Sequence, residues 1–527
     1  MSRTPLFSLV RKSLRLADAA NRSDAPFDEL IERANESRLI TRRSFVQGSA
    51  ATLSLAAVGA CAPSRTRGGG LTAAERSSAS VLVVGAGIAG LSAAYRLQQA
   101  GMRVKVIEAQ NRIGGRMFSL RDRFADGQVC ELGGELIDTG HTHMQAMAKE
   151  LGIPLDDLST DDPSLNRSTW FIGGQRRSET EVVRAFQPLA VRIRETLRPF
   201  GKEFDPTWKD PRGSEALDRM TIAQWFDKEG VSGWLRTLLT VAYTTEYGME
   251  IDRQSALNFL MLIGNETQPF EVFGASDERY HVQGGNDRIV QELARRVNAF
   301  VETGTMLEAL EQRADGSFVA SIAKNGSSST LSATHVVIAI PFTVLRNVKL
   351  TVNLPPVKQR AISELGYGTN AKLMVGFSSR PWRTLHKNNG SISTDLPFQL
   401  TWETSRLQPG RAGLLTNFTG GNHGIELGRG TEEEQATALV DQLEQIVPGI
   451  AATRAGMTQA RFHWPTNPWV RGSYAGYLPG QWTGIRGEEG SNVGRLYFAG
   501  EHCSLAAQGF MEGGCETGQQ ATSNILA

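Results

Sequence analysis

Three glycines and a glutamate early in the chain have the types and spacing of a site for phosphate and ribose groups. Gly85, Gly87 and Gly90 form the pattern G-x-G-x-x-G directly after the apolar residues 81–84, and Glu108 ends the next apolar run. A strand that turns tightly into a helix leaves N–H groups free for a pyrophosphate, and an acid ending the second strand accepts from ribose hydroxyls. The sequence therefore predicts a dinucleotide site. Three neighbours in the same turns belong to it: Ile88, Ala89 and Ala109.

The three glycines have separate tasks in such a turn. Gly85 permits the tight bend, Gly87 lets the backbone approach the pyrophosphate, and Gly90 lets the helix pack closely on the strand. The glycine pattern alone also fits a βαβ turn that binds nothing. The strand, the helix and the acid at position 108 together favour a bound ligand.

The overall composition limits the classes of function. The chain has 527 residues, enough for more than one domain, and 40% of them are hydrophobic, as in soluble globular proteins. The 56 basic and 55 acidic residues give a net charge of +1, so no nucleic-acid partner is indicated. Four scattered cysteines suit neither a disulfide scaffold nor a zinc site. His141 and His143 have no further ligands close in sequence, so we expect no metal.

The N-terminal region has the features of an export signal. Residues 41–46 read T-R-R-S-F-V, and an uncharged, alanine-rich stretch follows over residues 48–60. That stretch is too short and too weakly apolar for a stable membrane span, so it predicts a twin-arginine leader over residues 1–61 and a periplasmic or other extracytoplasmic location. The sequence leaves open whether Cys61 carries a lipid anchor or the chain is cut beside it. The alternative to a leader is a basic turn ahead of a surface helix.

Hydrophobic periodicity predicts the main elements of the chain. We expect β-strands at residues 81–84, 104–107, 129–132, 335–340, 372–377 and 496–499. Helical spacing predicts α-helices over residues 144–151, 181–197, 222–226, 431–447 and 513–525. Thr221 has the position of an N-cap for the third of these helices.

The order of five motifs resembles that of the flavin-containing amine oxidase family, which includes monoamine, polyamine and L-amino-acid oxidases. The first motif is the glycine turn with its glutamate. The others are residues 114–116 (G-G-R), 132–135 (L-G-G-E), 471–477 (R-G-S-Y-A-G-Y) and 496–514, which contain F-A-G-E-H and G-F-M-E-G-G. Each motif is weak alone. The resemblance extends from about Ser80 to the C-terminus.

The resemblance implies a bound FAD and assigns residues to it. Arg116 would compensate the pyrophosphate charge, Met306 would contact adenine through its backbone, and Glu501 would accept from a ribityl hydroxyl. The turn at residues 509–514 would open a helix whose N-terminal N–H groups stabilise the anionic reduced ring. The remaining implied FAD contacts are Gly115, Gly133, Gly134, Glu135, Gly509, Phe510 and Met511.

The resemblance also implies catalytic residues. Lys372 matches the family's lysine near flavin N5, which holds a water molecule and assists the reaction with oxygen. Tyr474 and Phe510 match the two walls of an aromatic cage that directs an amine toward the ring. Ser473 stands where some members carry the cysteine that bonds the flavin, so we expect non-covalent FAD.

The expected reaction is oxidative deamination of a primary or secondary amine, by hydride transfer to flavin N5 and reoxidation by O2 to give hydrogen peroxide. Asp138 matches an acid that meets a distal ammonium in polyamine oxidases, which favours a mono-, di- or polyamine. Leu136 replaces the carboxylate-binding arginine of some L-amino-acid oxidases, so an amino-acid substrate needs another residue, such as Arg461. Two further alternatives are a desaturase or porphyrinogen-type flavin oxidase and a flavoprotein without catalysis.

The expected fold is α/β, a Rossmann-like FAD-binding domain of the GR2 type with an inserted mixed α+β substrate-binding domain. The FAD domain would comprise residues 79–143, 281–345 and 459–527. The substrate domain would comprise residues 144–280 and 346–458, and residues 62–78 would form a linker. We expect no transmembrane span, and the sequence leaves a homodimer open.

Overall fold

The computed structural model describes residues 5–22, 26–32, 71–201, 203–263, 277–297, 301–454 and 456–527. The twin-arginine motif, the alanine-rich stretch after it and Cys61 lie outside these residues. No helix in the described ranges is long and apolar enough to cross a membrane.

A five-stranded parallel sheet forms the centre of the region that holds the glycine turn. Its strands, in spatial order, are Leu496–Phe498, His335–Ile338, Ser80–Val84, Arg103–Ile107 and Val301–Glu302. Valine and isoleucine predominate in the central strands because parallel strands are covered on both faces. Val83 pairs with Val106 on one side and Val337 on the other, and all three are fully buried. Distant parts of the chain therefore meet in one core.

Four helices pack with this sheet in the same core: Ile88–Gln99, Thr142–Leu151, Asp287–Val297 and Met511–Leu526. Two glycines allow the closest approaches. A Cβ on Gly90 would lie 1.9 Å from the carbonyl oxygen of Gly85, and one on Gly518 would lie 2.2 Å from that of Ala89. Because neither position tolerates a side chain, the helix after the glycine turn lies directly against its strand and against the last helix.

A seven-stranded sheet forms the second large unit. Its spatial order is Gln459–His463, Ala371–Phe377, Gly413–Thr419, Leu400–Glu403, Ile392–Thr394, Thr169–Ile172 and Gln175–Arg177. All pairings are antiparallel except that between the fifth and sixth strands. Every residue of the strand Ala371–Phe377 is buried, and this strand carries Lys372 into the interior.

Helix caps explain where two of the predicted helices begin. Thr431 caps the helix Glu432–Glu444, and Thr221 caps the helix Ile222–Lys228; both form capping boxes with the residue three positions later. The helix Glu432–Glu444 packs on the seven-stranded sheet through Leu439 and other buried apolar side chains.

Smaller elements complete the described structure. A four-stranded sheet has the order Ser327–Ala333, Phe318–Lys324, Thr305–Gln312 and Lys349–Thr351. Two ribbons pair Ser119–Leu120 with Cys130–Glu131 and Leu155–Asp157 with Tyr280–Val282. The other α-helices of the described ranges are Pro5–Arg22, Ala73–Ser78, Glu179–Leu197, Glu215–Arg219, Gly233–Tyr247, Ala256–Ile263, Phe342–Leu345, Pro356–Glu364, Pro381–Thr384 and Gly421–Glu426.

The helix Pro5–Arg22 packs against the folded body although it precedes the predicted leader motif. Leu16 is fully buried in a core shared with the helix Glu179–Leu197. Asp18 accepts from Arg194 at 2.6 Å, which adds a charged contact to the apolar one. The same face of the helix also buries Val10, Ser13 and Ala17. This part of the predicted leader is therefore integral to the fold.

Candidate active site

A cavity of about 510 Å³ extends from the glycine turn to the seven-stranded sheet, and its volume is typical of a ligand pocket. Gly87 and Glu108 line it at the carboxyl ends of the first two parallel strands, and Lys372 lines it from the other sheet. The loop that carries Arg116 lies between these two ends of the cavity. In this loop, Gly114 forms a β-bridge with Gly87, and the carbonyl oxygen of Arg116 accepts from the N–H of Gly134.

The end of the cavity at the glycine turn has the features of a site for an anion and a ribose. Gly87 caps the helix Ile88–Gln99 without a side-chain hydrogen bond, so the first N–H groups of the helix can bind an anion. Glu108 accepts from the N–H groups of Ala86 at 2.8 Å and Gln110 at 2.9 Å, which fixes its carboxyl at the wall. Burial raises the pKa of Glu108 more than these two hydrogen bonds lower it. A ribose hydroxyl that donates to this carboxyl would replace a hydrogen bond to water that burial removes.

Facing glycines leave room for a pyrophosphate that binds to backbone. A Cβ on Gly87 would meet nothing closer than the Cα of Gly115 at 4.0 Å. A side chain at position 87 would therefore project into the cavity, and the glycine leaves that volume available for a ligand. The cradle fits a dinucleotide such as FAD. Met306 lies on the wall at this end of the cavity, beside Thr305 and Glu308.

An ion pair joins the first and last chain segments of the cavity. The buried carboxylate of Glu501 accepts from Arg116 at 2.7 Å, from the N–H of Gly509 at 2.7 Å and from that of Ala475 at 3.3 Å. Arg116 also donates to the carbonyl oxygen of Ser473 at 2.9 Å. Because a guanidinium has five N–H donors, Arg116 keeps donors for a phosphate or hydroxyl.

The helix Met511–Leu526 begins at the cavity wall. Its N-cap residue, Phe510, is extended and makes no side-chain cap bond, and both Phe510 and Met511 line the cavity. The positive end of the helix dipole therefore lies beside the space for the ligand. Gly134 lies directly against the side chain of Met511. A Cβ at position 134 would be only 2.8 Å from the Met511 Cγ, so this contact requires a glycine.

Lys372 is held by three oxygen atoms where the seven-stranded sheet meets the cavity. Its ammonium donates to the carbonyl oxygens of Glu131 at 3.2 Å and Gly133 at 2.9 Å, and to the carboxylate of Glu135 at 2.7 Å. The other oxygen of Glu135 accepts from the indole N–H of Trp402 at 2.8 Å. Burial alone would raise the pKa of Glu135, but the charge and hydrogen bonds of Lys372 and Trp402 lower it. Glu135 is therefore held as a carboxylate.

Two aromatic rings line the same end of the cavity. The hydroxyl of Tyr474 donates to the carbonyl oxygen of Glu246 at 2.9 Å, which fixes the tyrosine ring. The ring of Phe510 packs against that of His141, with centroids 5.0 Å apart. Burial lowers the pKa of His141 to about 3, so the imidazole is neutral and packs as an aromatic neighbour.

Two carboxyl groups form an acidic wall near the rings. Asp138 is buried, and its carboxylate accepts from the N–H of Glu278 at 2.8 Å. Glu278 is half-buried and also lines the cavity. Loss of water around its carboxyl and the charge of Asp138 raise the pKa of Glu278. A cation between the two acids would relieve this repulsion.

The structure brings nearly every predicted site residue to one cavity. All the candidate FAD, catalytic and substrate residues line it except Gly90, whose close contact with Gly85 matches the packing task predicted for it. Arg461 lies elsewhere: its guanidinium donates to the carbonyl oxygens of Leu427, Arg429 and Gly430. The expectation that Arg461 could bind a substrate carboxylate is therefore wrong.

Sequence reasoning missed much of the aromatic wall. Cavity-lining residues that belong to no motif include the aromatic side chains of Trp402, Phe418, Trp464 and Trp469, and the acid Glu278. Trp402 and Phe418 lie on the strands Leu400–Glu403 and Gly413–Thr419, and the order of the sheet brings them to the cavity. An apolar strand pattern is the one signal they give, and it does not distinguish a core position from a cavity wall.

Cysteine and histidine side chains have other environments. Cys130, Cys503 and Cys515 are free and do not line the cavity, and burial raises the pKa of each thiol. His143 bonds to Glu512 at 2.8 Å. Within the described ranges, no group of three or more His, Cys, Asp or Glu side chains could hold a metal ion.

Known proteins share this sequence pattern over most of their length. Amine oxidase [flavin-containing] B of Bos taurus is 25% identical over 464 residues, which cover 85% of this chain and 86% of that protein. The L-amino-acid oxidase of Siganus canaliculatus is 25% identical over 459 residues, which cover 84% of this chain and 85% of that protein.

Solved structures share the fold. Cyclohexylamine oxidase from Brevibacterium oxydans IH-35A superposes with a TM-score of 0.73 at 23% identity, and a putrescine oxidase bound to putrescine with 0.71 at 19%. Each match covers 85% of this chain and 98% of the other. The predicted α/β fold, with a Rossmann-like FAD domain and a substrate-binding domain, is confirmed. The family model for flavin containing amine oxidoreductases matches residues 88–526. This chain therefore belongs to the flavin-containing amine oxidoreductase family, whose members are FAD-dependent oxidoreductases that act on amines.

Proposed function

We propose that this protein uses non-covalent FAD to oxidise a primary or secondary amine and passes the electrons to oxygen. The observation that carries this proposal is one cavity in which the dinucleotide cradle is continuous with Lys372, Tyr474 and Phe510. A dinucleotide that binds at the glycine turn extends its second half toward these residues. Ser473 supports non-covalent binding, since its hydroxyl donates to Asn370 at 2.7 Å and no described cysteine lines the cavity.

FAD held in the cradle would supply the redox chemistry, namely uptake of a hydride from the amine α-carbon and transfer of two electrons and two protons to O2, which gives hydrogen peroxide. Water would hydrolyse the imine product to a carbonyl compound and ammonia or a smaller amine. The chain supplies orientation and charge. Tyr474 and Phe510 direct the amine, and their positions are set by Glu246 and His141. The positive end of the helix Met511–Leu526 stabilises negative charge on a reduced ring.

The apolar wall also prepares the amine. Trp402 and Phe418 line the end of the cavity that holds the two rings, and they reduce the access of water to it. Loss of water disfavours the charged ammonium form of a bound amine. The neutral form then keeps its lone pair, which hydride transfer from the neighbouring carbon requires.

The acidic wall favours amines that carry a second cationic group. Asp138 and Glu278 offer carboxyl groups that a distal ammonium would contact, and the putrescine oxidase of similar fold was solved with putrescine bound. An amino-acid substrate has less support, since Leu136 lines the cavity without a charge and Arg461 lies outside it. A mono-, di- or polyamine is therefore the proposed substrate class.

Anaerobic mixing with a panel of amines tests the reaction. We expect monoamines, diamines or polyamines to bleach the flavin absorbance, and oxygen to restore it with one hydrogen peroxide per amine consumed. The panel includes L-amino acids and a porphyrinogen. Bleaching by these compounds alone would replace the proposal with an amino-acid oxidase or a porphyrinogen-type oxidase, and a flavin that nothing bleaches would indicate a flavoprotein without catalysis.

Asp138→Asn tests the acidic wall. The substitution removes one negative charge and keeps an oxygen that can accept from the N–H of Glu278. We expect kcat/KM for a diamine to fall about tenfold, or roughly 1.4 kcal/mol, and that for a monoamine of equal length to change less than about twofold. Steady-state peroxide assays measure both.

Asp277→Asn is the matched control for Asp138→Asn. Asp277 carries the same charge and lies close to Asp138 in space, where it accepts from the N–H of Thr139 at 2.8 Å, but it is exposed and does not line the cavity. We expect it to leave the preference for diamines unchanged. Equal losses for the diamine and the monoamine in Asp138→Asn would contradict a distal-ammonium site.

We propose that the chain is exported through its twin-arginine motif, with either a lipid on Cys61 or cleavage beside it. Export of folded protein suits a chain that must bind FAD first. A cut near Cys61 would leave the helix Pro5–Arg22 held only by non-covalent contacts, such as that of Leu16 with the helix Glu179–Leu197.

Replacement of Arg42 and Arg43 by lysine tests the export route. We expect the variant to stay in the cytoplasm of a host with twin-arginine export, whereas replacement of Arg65 and Arg67 by lysine leaves export intact. Native and denaturing mass spectrometry of the exported protein then shows whether the N-terminal piece stays bound. Equal export of both variants would contradict the leader assignment.

A further inference from the structure

Three oxygen acceptors of this chain surround the ammonium of Lys372. An ammonium has three N–H donors, and in this chain they go to the carbonyl oxygens of Glu131 and Gly133 and to the carboxylate of Glu135. Glu135 is the one charged group among these three acceptors, so it sets both the position of the ammonium and the net charge at this point of the cavity wall.

Glu135 is built into this arrangement from the opposite side. Trp402 donates its indole N–H to one carboxylate oxygen, while Lys372 donates to the other. The side chains of Lys372 and Glu135 are only 6% and 7% exposed. Two opposite charges 2.7 Å apart and shielded from water have no net charge, so their electrostatic potentials largely cancel at a neighbouring group.

The ion pair of Lys372 and Glu135 lies at the end of the cavity away from the glycine turn, where the second half of a bound dinucleotide would lie. Lys372, Glu135 and Trp402 all line the cavity, as do the rings of Tyr474 and Phe510. The glycine turn and Glu108 hold the other end of the cavity, so the redox ring must lie at this one.

We propose that Glu135 is a positioning residue that fixes Lys372 and cancels its charge, so that the redox ring meets a neutral ion pair instead of a bare ammonium. This inference rests on the proposed function, because it requires a flavin in the cavity. It assigns the positive field at the ring to the helix Met511–Leu526 rather than to Lys372.

Sulfite binding to the FAD-loaded enzyme measures the charge at the ring directly. The sulfur lone pair forms a bond to the ring nitrogen that also accepts hydride, no group leaves, and the ring takes the negative charge; a nearby positive charge therefore tightens binding. Glu135→Gln keeps the shape of the side chain and leaves Lys372 uncompensated. We expect the sulfite dissociation constant to fall at least about tenfold and the flavin reduction potential to rise.

Glu311→Gln is the matched control, since Glu311 is exposed and does not line the cavity. We expect its sulfite affinity to match that of the unaltered enzyme. If Glu135→Gln also matched it, the charge of Lys372 would already act on the ring and the proposal would be overturned.

A double variant keeps the inference testable if Glu135→Gln fails to retain FAD. Removal of one partner leaves a buried charge, whereas Glu135→Gln with Lys372→Met leaves none. We expect the double variant to hold more flavin and unfold at a higher temperature than either single variant. A double variant that is no better than the singles would show that the two side chains act separately.

Flavin content and amine bleaching separate this inference from the proposed function. An unaltered enzyme that carries FAD and is bleached by an amine upholds the oxidase, whatever the sulfite result. An enzyme without flavin would overturn both.

Discussion

The cavity depends on one buried carboxylate. Glu501 accepts from Arg116 of the first chain segment and from the N–H groups of Ala475 and Gly509 of the last. Because these segments are hundreds of residues apart, the bonds fix loops that neither sheet alone would hold in place. Loss of the carboxylate would remove the charged partner of Arg116, whose side chain is 24% exposed, and the acceptor shared by the N–H groups of Ala475 and Gly509. This contact therefore joins the loop after the glycine cradle to the segments that carry Tyr474 and Phe510.

Paired charges divide the cavity into regions with different electrostatics. Arg116 and Glu501 form one pair, Lys372 and Glu135 a second, and the dipole of the last helix supplies positive potential between them. The carboxyl groups of Asp138 and Glu278 belong to neither pair and form a separate acidic wall, which contacts the substrate in the function that we propose. Cofactor binding and substrate selection are thereby proposed for different groups of residues.

Local signals predicted much of the fold and of the cofactor cradle. The strand and helix around the glycine turn, the N-cap at Thr221 and the helices predicted over residues 431–447 and 513–525 depend on residues close in sequence. The structure contains all of them, with the last two helices at Glu432–Glu444 and Met511–Leu526. Trp402 and Glu278 could not be found in this way, since sheet order and a loop bring them to the cavity. The position of Lys372 was predicted but its bond to Glu135 was not, because pairing between distant strands and loops has no local signal. The helix Pro5–Arg22 was assigned to a leader, and its buried face reflects partners far along the chain.

The absorbance spectrum of the purified full-length protein, before and after unfolding and filtration, tests whether the cavity binds FAD without a covalent bond. We expect a flavin band at ~450 nm in the folded protein and the release of one FAD per chain into the filtrate on unfolding. A protein that remains colourless after incubation with FAD would contradict the cradle. A flavin that stays with the unfolded chain would contradict the non-covalent site.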